Sequence, residues 1–351
     1  MIAGARLLDR LLDGESLAEA EAHDLMMALA GGEMPAALAG AFLAGLRAKG
    51  ETADEIRGFA TAMRALAVRP RIPPGAPTVD TVGTGGDGSG SLNLSTGTGL
   101  LAAAAGARVV KHGNRSVSSR SGSADMLECL GMPLPLGEAD AVACLEATGF
   151  TFLFAPAYHP AMKAVVPVRG ALGVRTVFNM LGPLTNPAAP PFQLVGAWSA
   201  KAARLMAETL AGMPIERAFV VHGSPGWDEA TPAGDFLLLD VRPGQVRQTV
   251  RGPADYGLPA CAPAALAGGD AEHNARELRR VFDGEDRGAH RDALLMGAAL
   301  VLEVQGSVED PKAGVAVAAA ALDEGRAASL LAELRAHFAA RGARGAAGPG
   351  P

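Results

Sequence analysis

The sequence predicts an α/β protein, with a small all-helical domain and a larger α/β domain around a central, mostly parallel sheet. Three observations predict it. Residues 1–68 carry Leu, Met and Ala at three- and four-residue spacing, as short amphipathic helices do. The Pro-rich stretch AVRPRIPPGAP (67–77) cannot continue a helix and marks a hinge. Beyond it, short β-branched or aromatic runs alternate with helical patterns, as crossover helices around a parallel sheet do.

The opening segment reads as four helices. Ser16 with Glu19 and Thr52 with Glu55 have capping-box spacing, and Pro35 suits a first helical turn. The segment holds no titratable cluster, which makes it scaffold or dimer surface. TVDTVG (78–83) is a short strand, followed by a glycine-rich loop and an Ala-rich helix. ARVVKHG (107–113) is a second strand, and SRSGSADMLECLG (119–131) opens a helix through a Ser/Asp start signal. FTFLFA, FQLVGAW, RAFVVHG and DFLLLDV are further strands. Residues 160–172 are expected to form one helix, and FNMLGPLTNPA (178–188) a helix stopped at Gly182-Pro183. From Asp270 to Ala340 the chain is largely helical, and the last residues, 341–351, lack apolar periodicity and are expected to be disordered.

Composition narrows the classes. The 351 residues suit one large or two moderate domains, and 49% hydrophobic against 19% charged residues allows a substantial core. Aromatics are only 4%, too few for a stacking platform. The net charge of −6, with no basic block, argues against nucleic acid as a partner. No stretch reads as a signal peptide or membrane span, so no membrane partner is expected. Cys129, Cys144 and Cys261 lie far apart without metal spacing and fit a reducing cytoplasm.

The chemistry concentrates at three strand ends. GTGGDGSGSLNLST (83–96) has five glycines, five hydroxyls, one Asp and no Lys or Arg. Such a loop at the carboxyl end of a parallel strand, leading into a helix, offers amides to an anion without formal charge. It lacks the Walker and dinucleotide spacings, so ATP and NAD do not fit. A surface turn is the plainer reading of a glycine loop taken alone. The second strand ends in KHGNRSVSSRSGSAD (111–125), placing Lys111, His112, Arg115 and Arg120 among serines and Asn114. The third is followed by Asp228 and Glu229, oxygen ligands of the kind Mg²⁺ takes, with Ser95 as a hydroxyl partner. An Asp-Glu pair is also a common surface feature, and on spacing alone both readings stand. Arg169 ends the apolar stripe Met162, Val165, Val166 and offers a fork suited to a carboxylate, or simply snorkels at a helix edge. His159 reads most simply as a cap before Pro160.

Taken together, GTGGD (83–87), NLST (93–96), KHGNRSVSS (111–119), SGSADMLE (121–128), the long run from Phe154 to Ala188 and WDE (227–229) resemble the anthranilate phosphoribosyltransferases, whose fold is shared with class II nucleoside phosphorylases. The motifs occur in the family's order across most of residues 1–340. The resemblance implies transfer of a phosphoribosyl group from 5-phosphoribosyl 1-diphosphate (PRPP) to anthranilate, with release of pyrophosphate. It implies that Gly83, Thr84, Gly85, Gly86, Asp87, Ser91, Asn93, Ser95, Thr96, Lys111, His112, Gly113, Asn114, Ser118 and Ser119 bind PRPP. Anthranilate is implied to lie against Gly83, Asn114, His159, Arg169, Gly182 and Pro183, with Arg169 facing its carboxylate. Asp228, Glu229 and Ser95 are implied to hold Mg²⁺, two ions per site. The family further implies a homodimer through the helical domain, residues 1–70, joined in space by about 166–190, with 78–165 and 191–340 forming the catalytic α/β domain.

The chain departs from the family pattern after the acidic pair, where it reads ATPAGDFLLLD, and at Met296-Gly297, where an Asn is common. Two other readings compete: a pyrimidine nucleoside phosphorylase of the same fold, whose phosphate motifs differ from KHGNRSVSS, and a non-catalytic anion- or nucleic-acid-binding relative. The latter is expected to lose the acidic pair and gain basic surface, and this chain does neither.

Overall fold

The computed structural model describes residues 2–116 and 120–346. Four helices open the chain: α1 (Ile2–Leu12), α2 (Glu19–Gly31), α3 (Ala36–Lys49) and α4 (Ala53–Leu66). The capping box at α4 forms as expected: Thr52 Oγ1 accepts from Glu55 N, and Glu55 Oε2 accepts from Thr52 N at 2.8 Å. The one expected at Ser16–Glu19 does not. Helix α2 starts later, with Glu21 accepting from Ala18 N, because Glu19 is drawn into an ion pair with Arg57 on α4. Pro35 stands at the N-cap of α3.

The α/β part runs β1 (Thr78–Gly83), α5 (Leu94–Ala104), β2 (Arg108–Gly113), α6 (Ser123–Cys129), α7 (Glu138–Thr148), β3 (Phe150–Phe154) and α8 (Ala155–Tyr158). The stretch expected as one helix over 160–172 is instead a 3₁₀ turn, Pro160–Ala164, and a separate α9 (Val166–Leu172). Pro167 is the reason: its missing N–H suits a first helical turn and disfavours an interior position. Then follow α10 (Phe178–Leu181), β4 (Phe192–Gly196), α11 (Ala200–Ala211), β5 (Arg217–Gly223), β6 (Phe236–Arg242), β7 (Gln245–Arg251), α12 (Ala271–Phe282), α13 (Ala289–Val304), α14 (Pro311–Asp323) and α15 (Arg326–Ala346). Helix α15 extends into residues 341–346, expected from sequence to be disordered.

The strand order is β3-β2-β1-β4-β5-β6-β7, parallel from β3 to β5 and antiparallel from β5 to β7. Strand β7 was not expected from sequence. It is a largely exposed edge strand, so no apolar alternation marks it, and only the Pro243-Gly244 turn signals the hairpin. The order of strands reverses between β1 and β4, and in such sheets a crevice opens beyond the carboxyl ends at that reversal.

Strand periodicity assigns each sheet face to its own core. Leu194, Phe219, Val221 and Leu238 join the cluster built with α5 and α12–α15. Their neighbours Val195, Val220 and Leu239 join a second cluster with α1–α4, α11 and the segment Val165–Leu184. Alternate side chains of a strand point to opposite faces, so both faces are covered and the strands read as continuous apolar runs.

Three of the strand-ending glycines, those of β1, β4 and β5, lie under the acidic loop. A Cβ on Gly196 would overlap the Asp228 carbonyl oxygen, one on Gly223 would overlap that of Glu229, and one on Gly83 would lie 2.5 Å from Asp228 Oδ2. The acidic loop therefore lies directly on the sheet edge. Gly196→Ala is expected to destabilise the fold by about 2 kcal/mol or more through overpacking against backbone, read by urea denaturation. An unchanged midpoint would show that the loop does not need this contact.

Candidate active site

The glycine loop leaves β1 at Gly83, and Gly85 and Gly86 adopt φ of +68° and +71°. This left-handed region is open to glycine at little cost. The turn aims Gly85 N at Asp228 Oδ2, 2.6 Å away, and Thr84 Oγ1 donates to the same oxygen at 3.5 Å. Asp87 ties the loop back: its Oδ2 accepts from Asp228 N at 3.2 Å and its Oδ1 from Ser89 N and Oγ. Glu229 Oε1 accepts from Ser95 N in the first turn of α5, at 3.1 Å. The acidic pair thus occupies amides of the loop and of the helix start.

Lys111 reaches this group from β2. It is buried, its Nζ donates to Thr81 O and to Ser95 Oγ (3.1 Å), and Asp80, Glu229 and Asp228 all act on its charge. Burial lowers its pKa, and the three carboxylates oppose that shift. Burial also pushes both Asp228 and Glu229 up, aided by repulsion from neighbouring carboxylates. One buried lysine does not compensate the acids. Carboxyl and hydroxyl oxygens gathered at Asp228, Glu229 and Ser95, whose full ionisation needs a further cation, form the donor set a hard divalent cation requires.

The remaining predicted donor residues divide. Asn93 is bound on both sides of its amide: Nδ2 donates to Ser121 O, while Oδ1 accepts from Ser121 Oγ and Asn274 Nδ2. It brackets the start of α5 rather than presenting a free amide. Thr96 is buried, and Ser91 Oγ meets Ser89 Oγ at 3.2 Å. Gly113 ends β2, and Asn114 O accepts from Ser123 Oγ. Arg115 is paired with Asp125 and Glu128, so it is not a free cation of the crevice. Ser118 and Ser119 lie outside the described residues.

His112 falls on the other side. Its backbone N donates to Asp80, but its ring meets the Gly182 carbonyl at 3.2 Å and stacks edge-on against His159, centroids 5.1 Å apart. Burial lowers the two pKa values to about 3 and about 4, so both rings are neutral near pH 7. His112 therefore adds no charge for a phosphate and groups with His159, Gly182 and Pro183. Arg169 on α9 lies over the Phe178 ring at 5.2 Å, is part-buried, and has no ion pair among the described residues. Burial lowers its pKa, the condition of a cation lacking a partner.

Sequence reasoning missed three buried residues that hold the halves together. Asp80 accepts from Asn186 Nδ2 at 2.8 Å, and Asn186 also donates to Val110 O. Arg64 of α4 donates through Nε to Leu184 O at 2.7 Å. A charged residue inside the β-branched run TVDTVG was the available signal for Asp80. Of the departures from the family pattern, Gly297 lines a small cavity with Ser95, Thr98 and Glu229.

Residues 75–328 match the α/β domain of the glycosyl transferase family, and residues 5–67 match that family's helical bundle domain. The chain is 48% identical to the anthranilate phosphoribosyltransferase of Rubrobacter xylanophilus, over 91% of this chain and 92% of that one. It is 46% identical to that of Parvibaculum lavamentivorans, over 93% and 95%. The crystal structure of the Thermus thermophilus enzyme superposes with a TM-score of 0.88 at 42% identity, covering 94% of this chain and 98% of that one. The Saccharomyces cerevisiae enzyme in complex with PRPP and Mg gives 0.88 at 25% identity, covering 97% and 98%. Matched along nearly its whole length by relatives 46–48% identical to it and by the same fold, the chain belongs to the anthranilate phosphoribosyltransferase family.

Proposed function

We propose that this chain transfers the 5-phosphoribosyl group of PRPP to the amine of anthranilate, giving N-(5-phosphoribosyl)anthranilate and pyrophosphate, a step of tryptophan synthesis. The observation that carries this reading is the acidic pair laid against the glycine-loop amides at the sheet's switch point. That the Saccharomyces cerevisiae relative is described in complex with PRPP and Mg supports it.

The diphosphate of PRPP takes the amides of Gly85 and Gly86 and the hydroxyls of the loop, with Lys111 as a fixed positive charge behind Ser95. Asp228, Glu229 and Ser95 hold Mg²⁺, two ions per site in our reading. Bound there, the metal supplies Lewis-acid neutralisation of the leaving diphosphate. The amine of anthranilate is a weak nucleophile, so the C1–O bond to pyrophosphate loosens first and charge grows on the departing oxygens. Preorganised amides aimed at that charge lower the barrier without reorganising. The amine lone pair then forms the C1–N bond, and its surplus proton passes to solvent.

On the acceptor side, Arg169 meets the carboxylate of anthranilate. Its guanidinium is desolvated and without an ion pair, and a bidentate carboxylate answers both conditions. The neutral His112 and His159 rings, with Gly182, Pro183 and Asn114, form an uncharged wall that takes an aromatic ring. Holding the amine near C1 supplies a further part of the acceleration through positioning. We assign the helical domain to residues 1–70 together with about 166–190, and the catalytic domain to 78–165 and 191–340. The chain is further read as a cytoplasmic homodimer joined through its helices.

Asp228→Asn combined with Glu229→Gln is expected to lower turnover about a hundredfold or more at fixed Mg²⁺, and chelation of the parent should do the same. An unaltered kcat would remove the pair from the metal. Arg169→Ala is expected to raise the KM for anthranilate about tenfold, leaving that for PRPP near its original value. If the anthranilate KM does not move, Arg169 does not face the carboxylate. The assay that tests the reaction itself mixes PRPP, Mg²⁺ and anthranilate and follows the loss of anthranilate fluorescence. No loss with the wild-type chain would refute the assignment.

A further inference from the structure

Arg175 lies between α9 and α10 and reaches across to the glycine loop. Its Nη2 donates to the Gly86 carbonyl, and its guanidinium lies over the Trp198 ring, 4.9 Å from the centroid. Both ends of this contact are anchored. On one side, Arg47 of α3 donates to the Arg175 carbonyl, and Thr176 and Val177 next to it are buried. On the other, Trp198 N donates to Thr84 Oγ1 at 3.1 Å, and Thr84 leads on to Asp228. A chain of contacts therefore runs from the helical layer through Arg175 to the loop and the acidic pair. Arg175 sits six positions after Arg169 on the same segment.

We infer that Arg175 is a positioning residue for the phosphoribosyl donor, fixing the tip of the glycine loop from the acceptor side through Gly86 and Trp198. This rests on the function proposed above. The physical reason is the planarity of the peptide. With the Gly86 carbonyl drawn to Arg175, the Asp87 N–H of the same trans peptide points the opposite way and cannot swing freely. Asp228 holds the Gly85 amide and the Asp87 carboxylate ties the loop to Asp228 N, while Arg175 holds the Gly86–Asp87 peptide between them. Amides stabilise a leaving group only when aimed in advance. The planar guanidinium suits the task, since it donates in its plane and stacks on indole with its face. The Arg175 guanidinium meets a carbonyl and an indole face rather than a carboxylate, so its charge also remains beside the loop.

The test compares Arg175→Ala, Arg175→Lys and Trp198→Leu with the parent by steady-state kinetics, calorimetric titration of PRPP with Mg²⁺, and thermal melting. Arg175→Ala is expected to raise the KM and Kd for PRPP about tenfold, with the anthranilate KM within about twofold and the melting temperature unmoved, as for a misaimed but intact site. Arg175→Lys should recover part of the loss, since an ammonium still reaches a carbonyl, and Trp198→Leu should shift PRPP affinity in the same direction. The inference is overturned if PRPP affinity is unchanged in Arg175→Ala, or if both substrates weaken together with a fallen melting temperature. A lysine variant that recovers nothing overturns the hydrogen-bond assignment. If Arg175→Ala fails to fold, Trp198→Leu decides alone, an unchanged PRPP affinity counting against the brace. Should the wild-type chain bind PRPP yet transfer nothing to anthranilate, the proposed function fails while the calorimetric comparison still judges Arg175.

Discussion

Two carboxylates held against uncharged amides at the edge of a sheet are the constraint on which the rest of this molecule depends. Burying Asp228 and Glu229 side by side is costly, since each loses water and repels the other. The fold limits that cost with Gly85 N–H, Ser95 N–H and the buried Lys111. What remains is a pair of acids whose pKa values are raised, so that they resist ionising together in the crevice. In the proposed reading a divalent cation lets both ionise, and a diphosphate then takes up the amides the acids had held. Much of the sequence nearby serves this arrangement. Glycines end three strands so that the acidic loop can lie on them, and Asp80 supplies Lys111 with a further buried countercharge.

The proposed acceptor side follows a different logic. It is assembled from the segment between β3 and β4, which packs into the helical core through Val165, Val177 and Phe178. Its ionisable groups are held neutral or unpaired by burial: two histidines lose their charge, and one arginine keeps its charge without an ion pair. In the proposed reading, charge is thus concentrated where pyrophosphate leaves and thinned where an aromatic ring enters. Buried polar links cross between the sides, from Asp80 to Asn186 and from Arg64 to Leu184. They tie the sheet and α4 to the segment from Leu184 to Asn186.

The fold was legible wherever burial imposes a period. The four opening helices, the parallel strands and the helical C-terminal half follow from apolar spacing, and the glycine loop and acidic pair stand out by composition. Four features were not legible, for physical reasons. Strand β7 is exposed, so no alternation betrays it. The break at Val165–Val166 depends on where Pro167 falls within a turn, which apolar spacing does not report. The resemblance implies a PRPP contact for His112, yet adjacent strand residues point to opposite faces of the sheet, and its ring turns to Gly182 and His159. Arg175 carried no motif of its own. Its contacts with Gly86 and Trp198 depend on tertiary structure, which spacing along the chain does not record.

The most direct measurement is a crystal structure of this chain with its phosphoribosyl donor and magnesium. The diphosphate should lie within hydrogen-bond reach of the Gly85 amide, with the Asp228 carboxylate moved off that amide and onto the metal. A diphosphate bound away from the glycine loop, with Asp228 still accepting from Gly85 N, would contradict the account at its root.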